Sequence, residues 1–130
     1  DPTAEDELVA ARSAWISYQS TRERNAVYRY LSAVFEIVMG WKKQHHAEAK
    51  SRQVLARTKL RRTIRIEEPF SIVIFCTSDP CKVDVKTRNK WSRALRYTER
   101  FKPDNQSLAA FIKGKGSINK CAAQWSGHLR

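Results

Sequence analysis

The 130 residues suffice for one folded domain of 15.1 kDa and are too few for two independent domains. Hydrophobic residues make up 42% of the chain, with four Trp, four Tyr and five Phe, and this content excludes global disorder. The formal net charge of +12 predicts an acidic partner such as nucleic acid, and no apolar run approaches the ~20 residues that a membrane-spanning helix needs.

The basic residues are concentrated in the middle and the second half of the chain. Residues 1–24 contain five acids and three bases, a net charge of −2. Residues 50–66 contain seven bases and no acid, and residues 82–102 contain eight bases and two acids, a net charge of +6. We therefore expect these two basic segments to provide the contacts to a polyanion.

Apolar residues at helical spacing dominate the first third of the chain. A first helix is predicted by the repeat of Leu8, Ala11, Trp15 and Tyr18 behind an acidic turn. A second helix is predicted by apolar residues that alternate between spacings of four and three, which are Val27, Leu31, Val34, Val38 and Trp41. Its wide, aromatic-rich apolar arc predicts the central helix of the fold and, as an alternative, the seam of a homodimer.

Strong helix formers with few apolar anchors fill residues 42–62. This composition predicts one further helix, mostly exposed and basic. Its cations are candidate phosphate contacts, and those selected are Arg57, Lys59, Arg61 and Arg62.

The segment from residue 63 to residue 77 fits two structures. Alternating Ile and Phe positions around Pro69 fit a small β-hairpin, because alternate residues of a strand share one face. The same residues fit a helix with Pro69 in its first turn, since Phe70, Val73, Ile74 and Thr77 then share a face. Because both flanks are helical, a buried helix is favoured, with a small hairpin close to it.

Residues 85–101 carry an amphipathic helical pattern, with Asp84 as the residue that caps the helix. One arc of the helical wheel is predicted to face the core, and it contains Trp91, Ala94, Leu95, Thr98 and Phe101. The opposite arc contains the basic stripe, defined as Lys86, Lys90, Arg93, Arg96 and Arg100, with Tyr97 among them. The stripe predicts phosphate contacts, with Tyr97 stacking on a base or a sugar, although a solvated helix face would show the same pattern.

Two short helices are predicted near the C-terminus, at about 106–113 and 117–125, around the turn 114–116. This pattern fits a helix-turn-helix, in which the first helix braces a second that enters the major groove, and it fits an ordinary helical hairpin equally well. In the helix-turn-helix reading, the outward side chains would contact nucleic acid; they are Lys115, Ser117, Asn119, Lys120 and Gln124.

The sequence gives little support for a metal site or for catalysis. Cys76 and Cys81 have a loose C-x4-C spacing, and His45 and His46 are adjacent in a polar segment, so structural zinc is not predicted. The acidic residues around Asp84 would suit a metal-dependent nuclease only in a strand context, and there is no P-loop. No cofactor is expected. Three cysteines, an odd number, favour a reducing, cytoplasmic location.

Together these patterns predict a mainly α, single-domain protein over residues 1–130, which begins with Asp rather than Met and so leaves open a longer parent chain. The predicted function is non-catalytic nucleic-acid binding, with DNA favoured over RNA. The first alternative is a protein-interaction module that docks an acidic protein partner or forms a homodimer. A metal-dependent nuclease is the third.

Overall fold

Helices account for most of the part of the chain that the computed structural model describes, which comprises residues 4–21, 23–57, 66, 68–79 and 82–128. No strand occurs among these residues, and none of their helices is long and apolar enough to cross a membrane. The helices are α1 (Ala4–Glu7), α2 (Val9–Thr21), α3 (Arg24–Lys43), α4 (Ala47–Arg57), α5 (Pro69–Thr77), α6 (Val85–Phe101), α7 (Leu108–Gly114) and α8 (Ile118–His128). The mainly helical fold predicted from the sequence is confirmed.

The buried helix favoured for the ambiguous segment is confirmed as α5, and the small hairpin predicted within residues 63–77 is wrong wherever the structure describes them. Pro69 occupies the first turn of α5, where a backbone N–H has no helical partner to lose. The Glu68 carboxylate accepts a hydrogen bond from the backbone N–H of Ser71 at 2.9 Å and caps the helix. Helix α5 is buried on nearly every side, which explains its strand-like run of apolar residues. Residues 63–65 and 67 lie outside the described residues.

The further helix predicted for residues 42–62 is present as α4 and is mostly exposed, but it begins only after a turn at residues 44–46. Helix α3 continues to Lys43, and the chain then reverses at His45, whose φ of 61° lies in the left-handed region. The backbone N–H of His46 donates to the Trp41 carbonyl at 2.8 Å, which closes the turn before α4 begins. Residues 58–62 lie outside the described residues.

The central position predicted for the second helix is confirmed, and that helix is α3. Tyr30, Phe35 and Trp41 are all buried in the core, where Phe35 stacks on Phe70 of α5 at 5.9 Å between ring centroids. These three aromatic side chains therefore pack inside the protein, whereas Tyr28 of the same helix is half-buried.

An aromatic cluster fixes α6 against the N-terminal helices. The ring of Trp91 lies 6.5 Å from that of Trp15 on α2 and 6.0 Å from that of Tyr30 on α3, both in edge-to-face orientation. The hydroxyl of Tyr30 extends the same connection to α5 through a 2.7 Å hydrogen bond with the hydroxyl of Thr77. Burial raises the pKa of the Tyr30 phenol, so it remains a neutral donor. Trp91 thus joins α6 to α2 and α3, and Tyr30 joins α3 to α5.

The two predicted C-terminal helices are present as α7 and α8, and each is capped by a serine. The hydroxyl of Ser107 accepts from the backbone N–H of Ala110, and that of Ser117 accepts from the backbone N–H of Lys120. Helix α8 packs chiefly along α6 and touches α7 at only a few points. Helix α6 therefore provides most of the support for α8.

Candidate nucleic-acid interface

Helix α6 is built from a cap at its start and a buried face along its length. The Asp84 carboxylate accepts a hydrogen bond from the backbone N–H of Thr87 at 2.8 Å, as the sequence predicts. The buried positions recur at helical spacing, and they are Trp91, Ser92, Ala94, Leu95 and Thr98. These contacts leave the opposite side of α6 free to face outward.

We expect replacement of Asp84 by Ala to lower the urea midpoint of unfolding at pH 7, because the helix loses its cap. Asp84→Asn is the matched control, since its amide oxygen accepts the same hydrogen bond. The Thr87 N–H, with smaller effects from neighbouring lysines, holds the pKa of the Asp84 carboxyl below its usual range.

The lowered pKa gives the Asp84 effect a defined pH dependence. The stabilisation from the ionised carboxylate is complete above the unfolded pKa of about 4 and is lost as the pH falls through the lower folded value. Urea melts followed by circular dichroism should therefore show the wild type losing its advantage over Asp84→Asn in acid. An unchanged midpoint for Asp84→Ala at pH 7 would contradict the capping role.

The basic stripe lies on the outer side of α6, but its members differ in exposure. Lys86 and Arg100 are exposed, whereas Lys90, Arg93 and Arg96 are half-buried. The Nε atoms of Arg93 and Arg96 are buried without a hydrogen-bond partner among the described residues. Protein thus partly covers the aliphatic stems of these two arginines. Their guanidinium groups are therefore more restricted than that of a fully solvated surface arginine.

Two aromatic side chains of α6 occupy the opposite environments from those predicted. Phe101, predicted for the core, is 42% exposed, whereas Tyr97, predicted to face outward, is half-buried. The Tyr97 ring lies 4.8 Å from that of Phe101 and 5.8 Å from that of Phe111 on α7. Helix α7 covers this flank of α6, so Tyr97 is an internal contact and we leave it out of the proposed interface.

The carboxylates of α6 and of its cap are engaged elsewhere and do not neutralise the stripe. Asp84 caps the helix, and both oxygens of Glu99 accept from the Lys42 ammonium at 2.8 Å. Within the described ranges, no member of the basic stripe forms an ion pair. The capping Asp84 carboxylate attracts two members of the stripe, Lys86 and Lys90, but only weakly. The stripe therefore keeps a net positive charge.

A polar cavity of about 430 Å³ adjoins the stripe where α6 meets the start of α5. It is lined by Arg88, Asn89 and Arg96 together with Glu68 and Ser71. The Arg88 guanidinium lies 5.3 Å from the centre of the Phe75 ring, and burial lowers the pKa of this group. Arg88 is not among the residues predicted from the sequence to contact nucleic acid; its place between the two arcs of the helical wheel was the available signal.

The outward side chains predicted for the C-terminal hairpin are mostly confirmed as exposed. Asn119, Lys120 and Gln124 of α8 are exposed, as is Lys115 in the turn, whereas Ser117 is half-buried. The predicted bracing of α8 by α7 is a minor contact, because α8 lies along α6. The structure thus brings the exposed side of α8 beside the helix that carries the basic stripe.

The structure describes the basic segment before residue 66 only as far as Arg57. Arg57 is exposed at the end of α4, which packs on α1, α3 and α5. Lys59, Arg61 and Arg62 lie outside the described residues. Of the predicted sites in this segment, the structure therefore describes only Arg57, on a helix that does not pack closely against α6.

Metal-binding side chains do not converge in the part of the chain that the structure describes. Across those residues there is no group of three or more His, Cys, Asp or Glu side chains positioned to hold a metal ion. Cys76 is half-buried, Cys121 is buried, and both His45 and His46 are exposed in the turn before α4. Cys81 lies outside the described residues.

Comparison of the chain with protein-family models, with curated proteins and with solved structures found no match. The functional argument therefore depends on the surface chemistry of α6 and α8.

Proposed function

We propose that the protein binds nucleic acid, without catalysis, through the basic stripe of α6 and the exposed side of α8. The observation that carries this proposal is the absence of any ion pair on the stripe within the described residues, combined with the engagement of Asp84 and Glu99 elsewhere. Aligned cations repel one another in the free protein, and phosphates relieve that repulsion while releasing counterions.

In this proposal α6 contacts phosphates and α8 contacts base edges. Lys86, Arg93 and Arg100 are seven residues apart and so follow one line along α6, where they would contact successive phosphates. On α8, the amide groups of Asn119 and Gln124 have the donors and acceptors that pair with base edges. A single exposed helix fits the major groove of B-DNA better than the deep, narrow groove of duplex RNA, which favours DNA.

A second candidate function is the docking of an acidic protein partner. It is favoured by Val85 and Phe101, two exposed apolar residues at opposite ends of α6. Protein interfaces commonly surround apolar contacts with charged ones, so these residues would add contact area to a partner that carries carboxylates.

We expect binding of the protein to a 20-base-pair DNA duplex to weaken steeply with salt. If the five cations of the stripe neutralise phosphates, the logarithm of the association constant should fall against the logarithm of salt concentration with a slope of about −4 to −5. Fluorescence anisotropy with labelled duplex DNA, single-stranded DNA and RNA at several salt concentrations measures this slope.

Competition with polyglutamate separates the two candidate functions. Nucleic-acid binding predicts that unlabelled duplex displaces the probe at much lower charge concentration than polyglutamate does, because phosphates and bases are both recognised. A flat salt response, or equal displacement by the two polymers, would contradict the proposed function.

A further inference from the structure

A second candidate binding surface lies between the start of α3 and the turn that joins α7 to α8. Two adjoining cavities of about 700 and 580 Å³ share Asn25, Tyr28 and Lys113 in their walls. The larger cavity also reaches Tyr18 and Ser117. Volumes of this size are typical of sites for small organic ligands. We call this surface the tyrosine groove.

Lys113 holds a positive charge at the junction of the two cavities. Its ammonium donates a hydrogen bond to the side-chain oxygen of Asn25 at 2.8 Å and lies 5.0 Å from the centre of the Tyr28 ring. A lysine ammonium has three donors, and this bond uses one of them. The remaining donors and the exposed position of Lys113 leave it able to contact an anion.

The turn between α7 and α8 places a second ammonium, that of Lys120, beside Gly116 in the groove wall, although Lys120 itself lines neither cavity. Gly116 has a φ of 117°, and a Cβ atom built there would lie 2.5 Å from Cδ and 3.2 Å from Nζ of Lys120. The Lys120 side chain therefore folds back over Gly116, whose backbone lines the groove. Lys113 and Lys120 thus flank the same turn.

The tyrosines give the groove aromatic surface held in place by the core. Tyr18 is half-buried and makes edge-to-face contacts with Trp15 at 5.6 Å and with Trp91 at 6.5 Å. Glu23 also lines the groove, and its carboxylate is paired with the Arg29 guanidinium at 2.9 Å. That pairing offsets the one negative charge in the wall.

We infer that the tyrosine groove binds a nucleotide, with the base against the tyrosine rings and the phosphate at Lys113 and Lys120. The aromatic rings supply the stacking surface that any base accepts, and Asn25 supplies a polar group for a base edge. A purely apolar ligand would leave the two ammonium groups unused, and a simple anion would leave the rings unused. The inference rests on the proposed nucleic-acid binding and places an unpaired nucleotide outside the duplex surface of α6.

The test measures binding of three probes to the full chain: adenosine monophosphate, an eight-residue single strand of deoxyadenosine, and the 20-base-pair duplex. We expect Tyr28→Ala to weaken single-strand binding by about tenfold, and Tyr28→Phe to stay within about twofold of the wild type. Lys113→Gln should also weaken it severalfold, with Lys43→Gln on an exposed part of α3 as the control for lost charge. Duplex binding should change by less than about twofold in the Tyr28 variants.

Each outcome assigns or overturns the site. Losses with both adenosine monophosphate and the single strand assign a free-nucleotide site, and losses with the single strand alone assign an unpaired residue of a strand. Single-strand affinity that is unchanged in both Tyr28→Ala and Lys113→Gln overturns the inference, and Lys113→Gln decides the matter if Tyr28→Ala does not fold. Failure of the α6 proposal would appear separately, as a wild type that does not bind the duplex at all.

Discussion

Replacement of Trp91 by Ala is expected to lower the free energy of unfolding by about 3–5 kcal/mol. Trp91 is only 7% exposed, and its ring contacts those of Trp15 and Tyr30 on two other helices. The substitution would remove the buried indole and leave a cavity at the point where α6 meets α2 and α3, so the loss includes both transfer and packing energy.

Urea denaturation followed by circular dichroism measures the effect, because three other tryptophans complicate a fluorescence signal. Trp91→Phe should be milder, since it keeps an aromatic ring in the cluster. Ile16→Ala on α2 is the surface control; its side chain is 64% exposed and the change should stay within about 0.5 kcal/mol. A Trp91→Ala midpoint equal to that of the wild type would show that this cluster does not anchor α6.

The second large expected effect is on duplex DNA binding. It comes from neutralising the three stripe residues that follow one line along α6. The triple variant Lys86→Gln, Arg93→Gln and Arg100→Gln should bind duplex DNA about two to three orders of magnitude more weakly at 0.1 M salt. Its salt slope should be smaller in magnitude by about three. Because phosphate contacts carry no sequence information, two unrelated duplexes should lose similar affinity.

Folding of this triple variant should change little. Lys86 and Arg100 are exposed, and glutamine keeps part of the Arg93 stem in place. Removing cations that repel one another offsets part of any lost packing. Thermal melts by circular dichroism therefore accompany the binding titrations.

A matched variant distinguishes a defined interface from an effect of net charge. Lys43→Gln, Arg52→Gln and Arg57→Gln remove the same three charges from exposed positions on α3 and α4. We expect this control to retain most of the duplex affinity and a salt slope close to that of the wild type. Equal losses in the two triple variants would show that binding follows the total charge rather than α6.

Periodicity was sufficient to predict the helices that have one buried side. Helix α6 shows this best, because Trp91, Leu95 and Thr98 recur at helical spacing and the capping residue Asp84 precedes them. Helix α5 could not be assigned the same way. It is buried on nearly every side, so consecutive residues such as Ile72 and Val73 are equally apolar and the helical period does not stand out from a strand-like one.

The errors at the site have a different physical origin. A helical wheel shows which residues share a side but not which neighbours cover its edges, and α7 covers Tyr97 while leaving Phe101 exposed. The break after α3 was predicted at residue 42, a few residues before the observed turn, because that turn places His45, rather than a glycine, at positive φ. The basic character of α6 was readable from sequence, whereas the support of α8 by α6 depends on tertiary contacts.

The buried contact between α6 and α8 limits how far the protein can change shape when it binds a long ligand. Ala94 and Leu95 of α6 and Cys121 and Ala122 of α8 belong to one buried cluster, so the two helices cannot change their mutual angle without opening that cluster to water. The spacing between the basic stripe of α6 and the exposed side chains of α8 is therefore set before a partner binds. In the proposed complex the protein would act as a rigid template, and the duplex, through its own bending and groove width, would make the adjustments that decide which sequences fit.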